Sequence, residues 1–162
     1  MIRSFFVFVF FISSFSAKAL IEVDITRGNL NPLPIAVSPL SIDEESRKNF
    51  EKILKKKNIG SEISKIVEKN LKTSGLFNPL NKDAFLQAPD IANLKPRFED
   101  WNLIKAQALI TGKVNLINEK LRVEFRLWDV LAGKEMMALA FTTVPNNWRR
   151  VGHIITDKVY ER

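Results

Sequence analysis

The rhythm of hydrophobic and polar positions changes several times along the chain. Phe5 to Ile12 is an unbroken apolar run, extended by Phe15 after two serines. Met1-Ile2-Arg3 precedes it and Ala17-Lys18-Ala19 follows. A positive start, a short apolar stretch and an A-x-A site predict a secretory signal peptide over residues 1–19, cleaved after Ala19. The stretch is shorter than the ~20 apolar residues a helix needs to span a bilayer. No stable membrane insertion is therefore expected after cleavage, and the absence of a following Cys excludes a lipid-anchored start.

From Leu20 to Thr26 the pattern has period two. Ile21, Val23 and Ile25 alternate with Glu22, Asp24 and Thr26, which predicts a short strand at the start of the exported chain. A second apolar run, Leu33 to Val37, closes at Ser38-Pro39. Asp43 to Lys57 is dense in charge, with Phe50, Ile53 and Leu54 on one helical stripe, and reads as a solvated helix. Ile63, Ile66, Val67 and Leu71 then fall at helical spacing, with Ser61 as the expected cap and Gly75 as the stop. Leu76 to Leu80 leaves in extended form. Residues 81–96 show no clean period and hold Pro89 and Pro96, which predicts a loop with room for a short turn of helix.

Pro96 at a first turn predicts a short helix to about Lys105. Three strands are expected next, over Gln107–Ile117, Lys120–Val130 and Lys134–Val144. The middle one alternates Leu121, Val123, Phe125 and Leu127 with Arg122, Glu124 and Arg126. Asn118-Glu119 and Leu131-Ala132-Gly133 are short enough for hairpin turns. Asn146-Asn147 is expected to cap a last helix with the stripe Trp148, Val151, Ile155 and Val159. Helices grouped before an antiparallel meander predict an α+β fold: a mixed, largely antiparallel sheet with two to three helices packed on one face.

Composition narrows the chemistry. The chain has 162 residues, 46% apolar, with a net charge of +7, and this fits one domain. There is no Cys and one His, His153. Disulfide scaffolds, thiol nucleophiles, Cys-based zinc sites and two-His metal sites are excluded together. No phosphate loop, dinucleotide fingerprint or nucleophile elbow occurs, so no catalytic, cofactor-binding or metal-binding residues and no cofactor are assigned. A small periplasmic hydrolase would have to rest on His153 alone. The run Arg47, Lys48, Lys52, Lys55, Lys56, Lys57 would suit a polyanion or lipid-headgroup binder, but Asp43, Glu44, Glu45 and Glu51 offset it. Export argues against nucleic acid. The strand-competent segment from Leu20 to Thr26 is left as the positive feature. A partner's sheet can take up such an arm as an added strand, and the same pattern would serve equally as the first strand of the chain's own sheet.

Ile21 to Gly28, Pro34-Ile35-Ala36-Val37 with Pro39, Ser74 to Leu80, Phe98 with Asp100-Trp101, and Ala106 to Val114 share one order and spacing with Phe125 to Val130, Gly133, Asn147 to Arg150, His153 and Tyr160 to Arg162. This ordered set resembles the amino-terminal domain of the TolB family, the periplasmic component of the Tol–Pal envelope system. The resemblance implies a non-enzymatic interaction module supporting outer-membrane integrity, cell division and protein import. It implies a partner, TolA, contacted by the mature amino-terminal arm; residue by residue this falls on Leu20, Ile21, Glu22, Val23, Asp24, Ile25 and Thr26. Pal is expected to engage only a carboxy-terminal six-bladed β-propeller, which is absent here. The expected organisation is a signal peptide at 1–19, an arm at 20–28 and the α/β domain at 29–162, in a monomeric fragment. The charged stretch Asp43 to Lys57 looks longer than in the family.

Overall fold

The computed structural model describes residues 31–162. The expected signal peptide and arm, with every arm residue from Leu20 to Thr26, lie outside the described residues.

Six strands form one mixed sheet. β1 (Leu33–Val37) runs parallel to β3 (Phe77–Pro79) on one side and to β4 (Ala108–Ile117) on the other. β2 (Ser41–Ile42) continues along the same side of β4, pairing Ser41 with Lys113 and Ile42 with Val114. β5 (Lys120–Asp129) and β6 (Lys134–Thr143) extend the sheet as an antiparallel meander, so the path is β3-β1-β4-β5-β6. Asn118 and Glu119 both have positive φ, 49° and 61°, as a two-residue hairpin with right-handed strand twist requires. β2 escaped the sequence pattern because two residues carry no period.

Alternation in the central strands divides the core in two. Ile35, Val37, Ile110, Val123, Phe125 and Leu127 face the larger cluster, with Phe50 of α1 (Glu44–Leu54), Ile63, Val67 and Leu71 of α2 (Ile59–Thr73), and Trp148, Val151 and Ile155 of α5 (Trp148–Tyr160). Three helices therefore cover one face, as the pattern implied. Ala36, Leu109 and Val130 point the other way, into a smaller cluster with Trp101 of α4 (Phe98–Leu103), Leu80 and Phe85. Between Leu127 and Trp128 the β5–β6 register shifts by one residue, and Met136 and Met137 in succession pack against the larger cluster.

Several local expectations are corrected. α2 begins at Ile59 rather than after Ser61, and no side chain caps it at Asn58. Ile53 does not share the buried stripe of α1; it is 51% exposed, while Phe50 is fully buried. Residues 81–96 contain a 3₁₀ turn at Lys82–Ala84 and a helix, α3 (Pro89–Leu94). α4 starts at Phe98 and ends at Leu103, and Lys105 turns the chain at φ 61°. Pro145–Asn147 is a 3₁₀ turn, and the Asn147 side chain donates to Thr143 Oγ1 at 3.1 Å rather than capping α5.

Candidate partner-binding site

The described chain enters the sheet at the start of β1. Leu33 pairs with Phe77, and its N–H donates to the Leu76 carbonyl at 2.9 Å. Tyr160, in the last turn of α5, lies at the same end. Its ring centroid is 5.8 Å from that of Phe77, and its hydroxyl donates to the Asn70 carbonyl at 2.9 Å. The start of β1 thus lies beside β3 and the last turn of α5. Leu33 and Leu76 are partly exposed there.

His153 sits on the outer side of α5, exposed to solvent. The hydrogen-bond partner of its ring is the Asn70 amide of α2, with Nδ2 2.9 Å from Nδ1. With the amide N–H as donor, the imidazole accepts at Nδ1. Asn70 also donates to Thr156 Oγ1 at 3.3 Å, and Thr156 donates to the Gly152 carbonyl. This network ties α2 to α5. It supplies neither the nucleophile nor the orienting carboxylate that hydrolysis through His153 needs.

The basic run is divided by its surroundings. Arg47 lies 3.5 Å from Glu44 and Lys57 3.2 Å from Glu51. Lys56 and Arg149 flank the buried Trp148 ring, 5.5 and 4.3 Å from its centroid. Glu62 lies close by; a hydrogen bond from Lys65, with the charges of Lys65, Lys56 and Arg149, holds its carboxyl below the ordinary range. On the opposite side of the sheet, the hydrogen bond from Arg122 and the Lys113 ammonium do the same for Glu124. These are ion pairs of a solvated surface. Among the described residues no three His, Cys, Asp or Glu side chains group to hold a metal, and no helix is long and apolar enough to cross a membrane.

Two surface hollows stand out. One, of about 360 Å³, is lined by Leu40, Ser41, Ile42, Arg47, Asn58 and Asp90, among others. The other, of about 330 Å³, runs between β6 and α5, past Phe141, Thr143, Asn147, Arg150, Val151 and Ile154. Sequence reasoning missed both: their walls come from segments far apart in the chain.

The geometry defines a class, an α+β domain with a half-covered mixed sheet and two sheet edges, whose lone histidine braces two helices. Residues 21–136 match the TolB amino-terminal domain, and the chain belongs to the TolB family. It is 79% identical over 154 residues to the Tol-Pal system protein TolB of Pelagibacter ubique (strain HTCC1062). That match takes in 95% of this chain and 34% of the relative, so the chain spans about a third of the relative's length. A crystal structure of TolB from Acinetobacter baumannii shares the fold, with a TM-score of 0.60 at 20% identity, over 80% of this chain and 28% of the other.

Proposed function

We propose that the chain works in the periplasm as a non-enzymatic interaction module of the Tol–Pal system and binds TolA through Leu20 to Thr26. The observation that carries this reading is the extent of the family match, which reaches upstream of β1 to residue 21. It thus takes in the alternating segment Ile21, Val23, Ile25. That pattern suits strand addition to a partner's sheet: backbone hydrogen bonds supply affinity and the alternate side chains specificity. Ordering a tethered segment costs conformational entropy, so the affinity is modest. Removal of residues 1–19 frees the segment at its amino-terminal side. Support of envelope integrity, division and protein import follows from this coupling, and Pal binding belongs to a propeller in the longer protein.

Deleting Leu20 to Thr26 tests the reading. The deleted chain is expected to lose capture by the TolA carboxy-terminal domain in a pull-down. Its thermal midpoint should stay nearly unchanged, because the described residues by themselves build two buried core clusters. Undiminished capture would refute the assignment.

A further inference from the structure

The two edges of the sheet are built differently. β3 has three residues and ends in Pro79, so it offers little backbone to a passing strand. β6 has ten residues, and among the described residues it is the last strand of the sheet path. Its charges, Lys134 and Glu135, stand at its beginning. From Met137 to Thr143, past the bulge at Met136, it holds no charge, proline or glycine to blunt the edge. Beside this undefended edge lies the β6–α5 groove, with Phe141, Val151 and Ile154 as apolar walls.

The charge at the groove is of one sign. Arg150 is the only charged residue in its lining. Arg150 and its neighbour Arg149 take part in no ion pair among the described residues. Both stand in the first turn of α5, where the helix dipole disfavours cations and no acidic residue of that turn relieves them. Arg149 is held against the Trp148 ring with Lys56 nearby, although Glu62 tempers that corner. Arg149 gains the face of the Trp148 ring, but no ion pair or ring among the described residues holds Arg150, whose exposed charge suits an anionic partner.

We infer that the outer edge of β6 and the groove beside it form a second docking surface, distinct from the amino-terminal arm, for an extended acidic segment of a partner protein. The partner backbone pairs with β6, and of the side chains on its α5-facing side, two residues apart, an apolar one enters the groove beside Ile154 and a carboxylate meets Arg150.

The test uses the 162-residue chain labelled with ¹⁵N and two blocked synthetic seven-residue peptides. One reads valine-threonine-glutamate-threonine-valine-threonine-glutamate, which sets valine and glutamate on one face, and lysine replaces glutamate in the other. The acidic peptide is expected to shift amides of residues 138–143 and 150–154, and to bind about tenfold more tightly than the basic one. Arg150→Glu, an exposed change, should reverse that preference, and Ile154→Ser should weaken both peptides by removing an apolar wall. Any of four results would overturn the proposal: no shifts at millimolar peptide, shifts elsewhere, an Arg150→Glu chain with the original preference, or a β6-mediated dimer of the chain that occupies the edge.

Discussion

Asp43 shows how much one side chain organises. Its Oδ1 accepts the Ser46 N–H at 2.7 Å and its Oδ2 accepts the Ser46 hydroxyl at 2.8 Å. The same hydroxyl accepts the Leu116 N–H at 2.8 Å, so the cap of α1 is linked to the end of β4. The Ser46 backbone hydrogen bond, reinforced by its hydroxyl, holds the Asp43 carboxyl below its ordinary value of 3.8. A depressed folded-state value means that the ionised cap stabilises the fold above the ordinary value, and that this contribution is lost as pH falls through the folded one. Asp43→Ala should cost ~1 kcal/mol at neutral pH. Asp43→Asn keeps an acceptor for the Ser46 N–H but has no charge to lose. Urea unfolding between pH 6 and pH 2.5 should therefore show the wild-type advantage over Asp43→Asn shrinking below the carboxylate range; a constant gap would refute the role of charge. The sequence reading took Asp43 into the charged helical run, whereas it stands just before α1 as its cap. The Leu116 link, 70 residues away, was not legible.

At the scale of elements, α2 shows where sequence reading stops. Its apolar stripe was visible because Ile63, Val67 and Leu71 repeat at helical spacing, and all three are buried. Its start was misjudged because the decisive contact is with the 38–40 loop. A Cβ on Gly60 would lie 2.1 Å from the Leu40 carbonyl oxygen, while Ser64 Oγ accepts the Leu40 N–H and lies 3.0 Å from the Ser38 carbonyl. Alanine is the better helix former by ~1 kcal/mol, so helix propensity alone predicts that Gly60→Ala stabilises. The obstructing atom is backbone, pinned between β1 and β2, and overpacking of this kind costs ~1–3 kcal/mol. Gly60→Ala should therefore lower the thermal midpoint, and a raised midpoint would show that the loop yields. Strands β4 and β5 were legible from their alternation. α3 and the Gln87 bonds were not: Gln87 Oε1 accepts from Arg97 N–H and Trp101 Nε1, each at 3.0 Å, across a stretch without period. For the candidate sites the contrast is similar. The arm is written in seven consecutive residues, whereas the β6–α5 groove depends on which strand ends the sheet, a property of topology.

For the molecule as a whole, the question is whether the small cluster folds as an appendage. Its peripheral members, Phe85 and Trp101, meet edge to face at 5.0 Å on short segments, which suggests a layer able to melt alone. The central strands argue otherwise. Ala36 lies between Ile35 and Val37, Leu109 between Ala108 and Ile110, and Trp128 follows Leu127, so one backbone presents alternate side chains to both clusters. Trp128 Nε1 also donates to Thr111 Oγ1 at 2.9 Å, tying β5 to β4. Loosening the small cluster disturbs the strands that carry the large one. Leu109→Ala, at a fully buried position of the small cluster, should cost ~2–5 kcal/mol. The loss should appear as one transition, with tryptophan fluorescence in a Trp148→Phe background, where it reports Trp101 and Trp128 of the small cluster, coinciding with far-UV circular dichroism. A fluorescence transition that precedes the loss of helix signal would show instead that the α4 layer opens by itself while the sheet and α1, α2 and α5 stay folded.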